Sequence, residues 1–205
     1  MANHQYLFNK NDEYYTKPYA VEPIVKFVKR GAVVWCPFDK PESNFVKVFK
    51  ENGYNVIHSH IDEGKNFFEY EPSSYDVIVS NPPYSRREAV FERLFTLGKP
   101  FAMLVNMAGI FDSKKRFSMF AENPFEFLVF DRRVDYQRQD NKKTSPPYLS
   151  IYICSRLLPQ QMVFSKLPRL TKRAPDLWDS APLQSLSTPE ADTPAEHLST
   201  PPTSG

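Results

Sequence analysis

The feature that most constrains this chain is the run Tyr75-Asp76-Val77-Ile78-Val79-Ser80, which stops abruptly at Asn81-Pro82-Pro83-Tyr84. A short apolar run bounded by turn residues reads as a strand covered on both faces, the kind found in parallel sheets. Two consecutive prolines end it, because neither can donate to a ladder and both fix φ. Strand-like and helix-like segments alternate on either side. Helices are predicted over residues 21–29, 44–51 and 88–97, and strands over 32–35, 55–58, 75–80, 101–105, 125–130 and 149–154. Over 44–51, Phe45, Val48 and Phe49 share one helical face, Ser43 stands at the N-cap, and Asn52-Gly53 ends the helix. This alternation predicts an α/β fold built on a doubly wound, mostly parallel sheet.

A chain of 205 residues with 41% hydrophobic content is long enough for one such domain, expected over residues 1–169. Residues 170–205 turn to Pro, Ser, Thr and scattered acids, which bury too little apolar surface to offset the entropy of ordering, so a disordered tail is expected there. The net charge of +2 excludes an overall field for polyanions but leaves room for a local basic surface. Cys36 and Cys154 lie far apart without CxxC spacing, so no structural zinc is expected and a reduced, cytoplasmic protein fits best. Neither a signal-peptide run at the N-terminus nor a stretch of about 18 apolar residues is present, so no secretion or membrane span is expected. His58 and His60 share one strand face, but without a third ligand no metal is assigned. Cys36 reads as a small buried hydrophobe rather than a nucleophile, and Trp35 as core.

Ligands of open α/β sheets bind at the carboxyl ends of the strands, where Asn81-Pro82-Pro83-Tyr84 falls. An amino group donates two hydrogens, and the side-chain oxygen of Asn81 with the carbonyl of Pro82 can accept both. Such bonds hold the nitrogen lone pair toward an incoming electrophile, and Tyr84 can stack on the ring that carries the amine. The other reading, a rigid turn without chemistry, is disfavoured by the buried strand before it.

With these residues in view, the segment Asp76-Val77-Ile78-Val79-Ser80-Asn81-Pro82-Pro83-Tyr84 resembles the catalytic loop of the S-adenosylmethionine-dependent amino-methyltransferases. Asn in the first place of the tetrapeptide is similar to the adenine-N6 members, whereas Ser is commoner among cytosine-N4 enzymes. The same tetrapeptide resembles that of glutamine-N5 protein methyltransferases. Tyr14-Tyr15-Thr16-Lys17-Pro18 resembles the Tyr-Thr-Pro element of small phage-type adenine methyltransferases, which implies that Tyr15 and Thr16 lie at the methionine part of the cofactor. Pro37-Phe38-Asp39 occupies the place of their first cofactor motif. Gly64-Lys65-Asn66-Phe67-Phe68 resembles the element that holds the cofactor's adenine, which implicates Asn66 and Phe67. The resemblance implies a class I methyltransferase fold, S-adenosylmethionine as cofactor, and Asn81, Pro82, Pro83 and Tyr84 as the catalytic loop.

The sequence departs from the family at two places. Cys36 stands where an acid is usual, and Lys40-Pro41-Glu42-Ser43 follows without the glycines that let backbone approach the cofactor. Asp39, or the amides around Ser43, then take part of that role. The acid that closes the second strand is also absent from Val56-Ile57-His58-Ser59-His60, leaving Asp62 and Glu63 as the nearest substitutes.

Beyond the loop lie Arg86-Arg87, Lys114-Lys115-Arg116, Arg132-Arg133, Arg138 and Lys142-Lys143, interleaved with Phe111, Phe117 and Tyr136. Basic clusters with aromatics suit phosphate contacts and base stacking, so nucleic acid, DNA first, is the expected partner. The acids Asp112, Asp131, Asp135 and Asp140 in the same stretch weaken that signal. Methylation of RNA, of cytosine N4 or of protein glutamine, and a cofactor-less binding module on the same fold, stay open as alternatives.

Overall fold

A computed structural model describes residues 14–138, 143–144 and 148–168. The expected tail over 170–205, together with Asp140 and Lys142, lies outside the described residues, as do the side chains of Arg138 and Lys143.

The chain begins with strand β1 (Tyr14–Thr16) and helix α1 (Pro18–Val25). Helix α1 starts and ends earlier than the periodicity over 21–29 predicts. Proline in its first turn has its φ preset for a helix and wastes no N–H, so it favours an early start. Next come β2 (Val33–Cys36), α2 (Asn44–Glu51), β3 (Asn55–His58) and β4 (Val77–Ser80). Helix α2 has the predicted bounds, and Ser43 caps it by accepting the Phe45 N–H at 3.1 Å. Helix α3 (Arg87–Leu97), β5 (Phe101–Asn106), α4 (Lys114–Glu122) and β6 (Glu126–Phe130) follow. The series closes with β7 (Tyr136–Arg138), β8 (Lys143–Thr144), β9 (Ser150–Ser155) and β10 (Met162–Ser165).

Seven strands form the main sheet in the order β10-β6-β9-β5-β4-β2-β3. Strand β9 runs antiparallel to both its neighbours, and every other pairing in this sheet is parallel. The expected mostly parallel α/β sheet is therefore present. Side-chain alternation divides the core between two faces. Val34, Cys36, Val77, Val79, Ala102 and Leu104 join one cluster with residues of α1 and α2. Trp35, Ile78, Phe101, Met103 and Val105 join another with residues of α3 and with Phe120 of α4. Helices thus cover both faces, which is what a doubly wound sheet requires.

Strand order fixes where a ligand can sit. From β2 the chain moves outward to β3, then returns to place β4 on the other side of β2. Adjacent parallel strands whose connections leave in opposite directions open a crevice at their carboxyl ends. Here the crevice lies between Cys36 at the end of β2 and Ser80 at the end of β4. A separate antiparallel sheet, β1-β7-β8, pairs Thr16 with Tyr136.

Candidate active site

The loop after β2 carries Pro37, Phe38 and Asp39, and here it meets the end of β4 directly. Asp39 is 7% exposed, and its carboxylate accepts hydrogen bonds from the hydroxyls of Ser43 and Ser80. Ser43 also caps α2, so one carboxylate ties the loop, the helix start and the end of β4 together. Burial pushes the Asp39 carboxyl up to about 6, while the two serine hydrogen bonds pull it back toward the ionised form. Backbone bonds complete the loop, with Asp39 N–H donating to Ser59 O at 3.2 Å and Ser59 N–H to Cys36 O at 3.0 Å. A glycine-free turn is therefore held by side-chain bridges. The Cys36 and Cys154 thiols are fully buried and pushed well up by desolvation, which suits packing rather than nucleophilic attack.

Asn81 lies one residue beyond β4, with its side chain in a definite orientation. Its Nδ2 donates to Thr16 Oγ1 at 3.2 Å, across 65 residues of sequence. Its Oδ1 is buried and has no hydrogen-bond partner. A buried acceptor left unmatched costs about 1–3 kcal/mol, a penalty rarely retained without a reason. Thr16 is 6% exposed, and its carbonyl accepts from Asn44 Nδ2 at 2.8 Å, which joins β1 to the first residue of α2. Tyr15, next to it, is 47% exposed. Pro82 is buried, while Pro83 and Tyr84 are half-buried. The Tyr84 and Tyr136 phenols interact electrostatically, and the Tyr136 hydroxyl donates to Ser150 Oγ at 2.8 Å.

The third segment expected at the site follows β3. Gly64, at φ 72°, turns the chain into Lys65-Asn66-Phe67. Asn66 Oδ1 accepts the Phe68 N–H at 3.2 Å, so the acceptor assigned to it from sequence is engaged within its own turn; its amide group keeps its donors. Phe67 is 3% exposed, with its ring 4.8 Å from Phe38 and 5.5 Å from Trp35. Phe38 and Phe67 are thus brought together, Phe38 half-buried and Phe67 in the core. Asp62 and Glu63 are exposed, and Asp62 pairs with Lys40 at 2.7 Å, which holds its carboxyl below the usual range.

Several basic residues have internal tasks. Arg87 Nη1 donates to Asn106 O and Ala108 O at 3.0 and 3.1 Å, fixing the loop after β5. Lys115 pairs with Glu92 at 2.9 Å and Glu88 at 3.6 Å. Arg132 Nη1 donates to Leu167 O at 3.0 Å. Lys114, Arg133, Phe111 and Phe117 are exposed, and Arg86 lies 5.1 Å from the Phe68 ring centre. Among the described residues there is no group of three or more metal-ligating side chains, and no helix is long and apolar enough to cross a membrane.

Sequence reasoning found Asn81 and Thr16 but not the bond between them, it missed the parts played by Ser80 and Asn44, and it grouped Tyr136 with rings for base stacking, whereas Tyr136 is fully buried. No local pattern marks these three; they matter through partners distant in the chain.

No family model matches the chain, and no curated protein matches it. Among solved structures it is similar to a modification subunit of a putative type I restriction enzyme from Vibrio vulnificus, at 13% identity and a TM-score of 0.46, covering 78% of this chain and 49% of that one. It is also similar to a dimethyladenosine transferase from Plasmodium falciparum, at 12% identity and a TM-score of 0.43, covering 70% and 62%. A third is a putative RNA methyltransferase from Pyrococcus horikoshii, at 13% identity and a TM-score of 0.43, covering 77% and 93%. The chain spans about half the length of the first of these and under two thirds of the second.

Proposed function

We propose that the protein transfers a methyl group from S-adenosylmethionine to an exocyclic amino group, N6 of adenine in nucleic acid and DNA in the first instance. The observation that carries this reading is the buried, unpartnered Oδ1 of Asn81 at the carboxyl end of β4. An amine donating one hydrogen there and the other to the Pro82 carbonyl has its lone pair directed out of the plane of those bonds, ready for in-line attack. Shielding Oδ1 from water makes the bond to the amine stronger than it would be in solvent. The half-buried Tyr84 ring is the stacking surface for the base. In duplex DNA the base must first be extruded, at a cost of a few kcal/mol that stacking and hydrogen bonding in the pocket offset.

The residues around the crevice fit such a cofactor by their chemistry. Thr16, Tyr15, Pro37 and Phe38 supply a mixed polar and apolar wall, and the free amide donors of Asn66 beside Phe67 suit a purine ring. When bound, the cofactor supplies a methyl on a sulfonium, which departs as a neutral thioether while the amine nitrogen gives up one proton to solvent. Asp39 serves this site chiefly by holding the loop to Ser43 and Ser80.

A second reading, a binding module that has lost the cofactor, is favoured by the glycine-free loop whose buried acid, Asp39, is already bonded within the chain. Calorimetric titration separates the two: saturable binding of S-adenosylmethionine supports the enzyme, and none at millimolar concentration supports the module. The substrate is decided by incubation with methyl-labelled cofactor and separate pools of DNA, RNA and protein. Label recovered as N6-methyladenine from DNA is the expected result. Label in RNA nucleosides, in N4-methylcytosine or in protein glutamine would reassign the substrate.

A further inference from the structure

We infer that the small β1-β7 ladder is a clamp on the Asn81–Tyr84 loop, with Thr16 and Tyr136 as positioning residues that set the orientation of Asn81 and Tyr84. The inference rests on the methyl-transfer reading for its functional consequence, but its geometry stands apart from it. Thr16 and Tyr136 are register partners on adjacent antiparallel strands. One end of the loop is tied to the first, through Asn81 Nδ2 to Thr16 Oγ1 at 3.2 Å. The other end, Tyr84, lies within electrostatic reach of the Tyr136 phenol. A single rung of the ladder therefore faces both ends of the tetrapeptide.

The bond to Thr16 also pins the Asn81 amide in place, since a hydroxyl can accept from its NH2 group or donate to its oxygen. An asparagine side chain can turn over, exchanging a group that only donates for one that only accepts. The Thr16 hydroxyl takes the NH2 group, which leaves Oδ1 as the face without a partner. Turned over, Asn81 would present hydrogens to an incoming amine and repel it. The clamp is itself anchored. Thr16 O accepts from Asn44 Nδ2 at 2.8 Å, Tyr136 is fully buried, and its hydroxyl lies 2.8 Å from Ser150 Oγ at the start of β9. Position in β1 is thereby referred to α2 on one side and to the main sheet on the other.

The test uses the full chain with Thr16→Val, which keeps the shape and removes the hydroxyl, Thr16→Ser, which restores it, and Tyr136→Phe, which keeps the buried ring. The first readout is the side-chain amide pair of Asn81 in a nitrogen-15 correlation spectrum, assigned by its loss in Asn81→Asp. Thr16→Val is expected to shift or broaden that pair and Thr16→Ser to keep it near its parent position; Tyr136→Phe is expected to move the Tyr84 ring signals. The second readout is kinetic. Because Thr16 also belongs to the cofactor wall, rates are compared at saturating cofactor, where Thr16→Val should lower kcat by about ten- to a hundredfold, as misoriented reacting groups do, and Thr16→Ser should recover most of the rate. An Asn81 pair indifferent to Thr16→Val would overturn the clamp, as would a kcat at saturating cofactor that Thr16→Val leaves unchanged. A parent protein that transfers no methyl, while Thr16→Val still moves the Asn81 pair and Thr16→Ser does not, would leave the clamp standing and refute the methyl-transfer reading alone.

Discussion

Asp39 holds its loop to Ser43 and Ser80, and in the methyl-transfer proposal Asn81 meets the reacting amine. Asn81→Ala is expected to reduce methyl transfer by about 10²–10³, the cost of losing one preorganised polar contact where charge develops, with cofactor affinity nearly unchanged; single-turnover rates and calorimetry measure the two parts. Asp39 has a folded-state carboxyl at about 6, above the ordinary value of 3.8, because it is buried. A raised carboxyl makes the fold most stable where the group is protonated in both states, and that stability is lost as pH rises from about 4 to about 6. Asp39→Asn, which stays neutral, should therefore gain about 1–3 kcal/mol on the parent between pH 4 and pH 7, read from paired denaturation curves. A difference that stays flat across that window would mean the carboxylate is less buried than its two serine partners imply. At this scale the sequence made Asn81 legible, because a strand followed by two prolines has few meanings. The role of Asp39 was hidden: one partner, Ser43, is near, but the other, Ser80, is 41 residues away. Asn66 was read as an acceptor because nothing in the sequence signals that its own turn uses the oxygen.

Elements bounded by strong local chemistry match their predicted limits, and those bounded by tertiary contacts do not. Helix α2 is legible because a serine cap, a three-residue apolar face and Asn52-Gly53 agree with one another. Helix α4 was missed although Ser113 caps it by accepting the Arg116 N–H at 3.1 Å. Its first turn holds Lys114, Lys115 and Arg116, the wrong charge for a helix start, and among its side chains only Phe120 is buried. Strand β10 escaped notice because it is a four-residue strand at the sheet edge whose apolar Met162 and Phe164 are exposed rather than buried. The two tasks of Ser43 give a test at this level. Ser43→Ala removes the cap of α2 and one hydrogen bond to Asp39, so it should cost about 1–2 kcal/mol and push the Asp39 carboxyl further up. Urea denaturation at pH 5 and pH 7 reads both effects, since the penalty should be larger at the higher pH, where the bond is made to an ionised acid.

For the whole molecule, alternation of apolar runs foretold the doubly wound sheet, and the order of its strands supplied what alternation cannot, a crevice between β2 and β4. The basic clusters were partly misleading as a footprint for phosphates. Arg87, Lys115 and Arg132 hold loops and helices in place, which leaves Lys114, Arg133 and the rings of Phe111 and Phe117 exposed among the described residues. The segment 171–205 is expected from composition to contribute no packing, so its deletion should leave melting temperature and methyl transfer unchanged; a fall in either would assign it a docking role. The central claim is that an amine is methylated at Asn81, and it is tested most directly by nucleoside mass spectrometry of DNA from cells without adenine methylation of their own, expressing either the parent or Asn81→Ala. The account predicts N6-methyldeoxyadenosine with the parent and its near absence with the variant. Equal amounts in both, or none with a parent that binds S-adenosylmethionine, would contradict it.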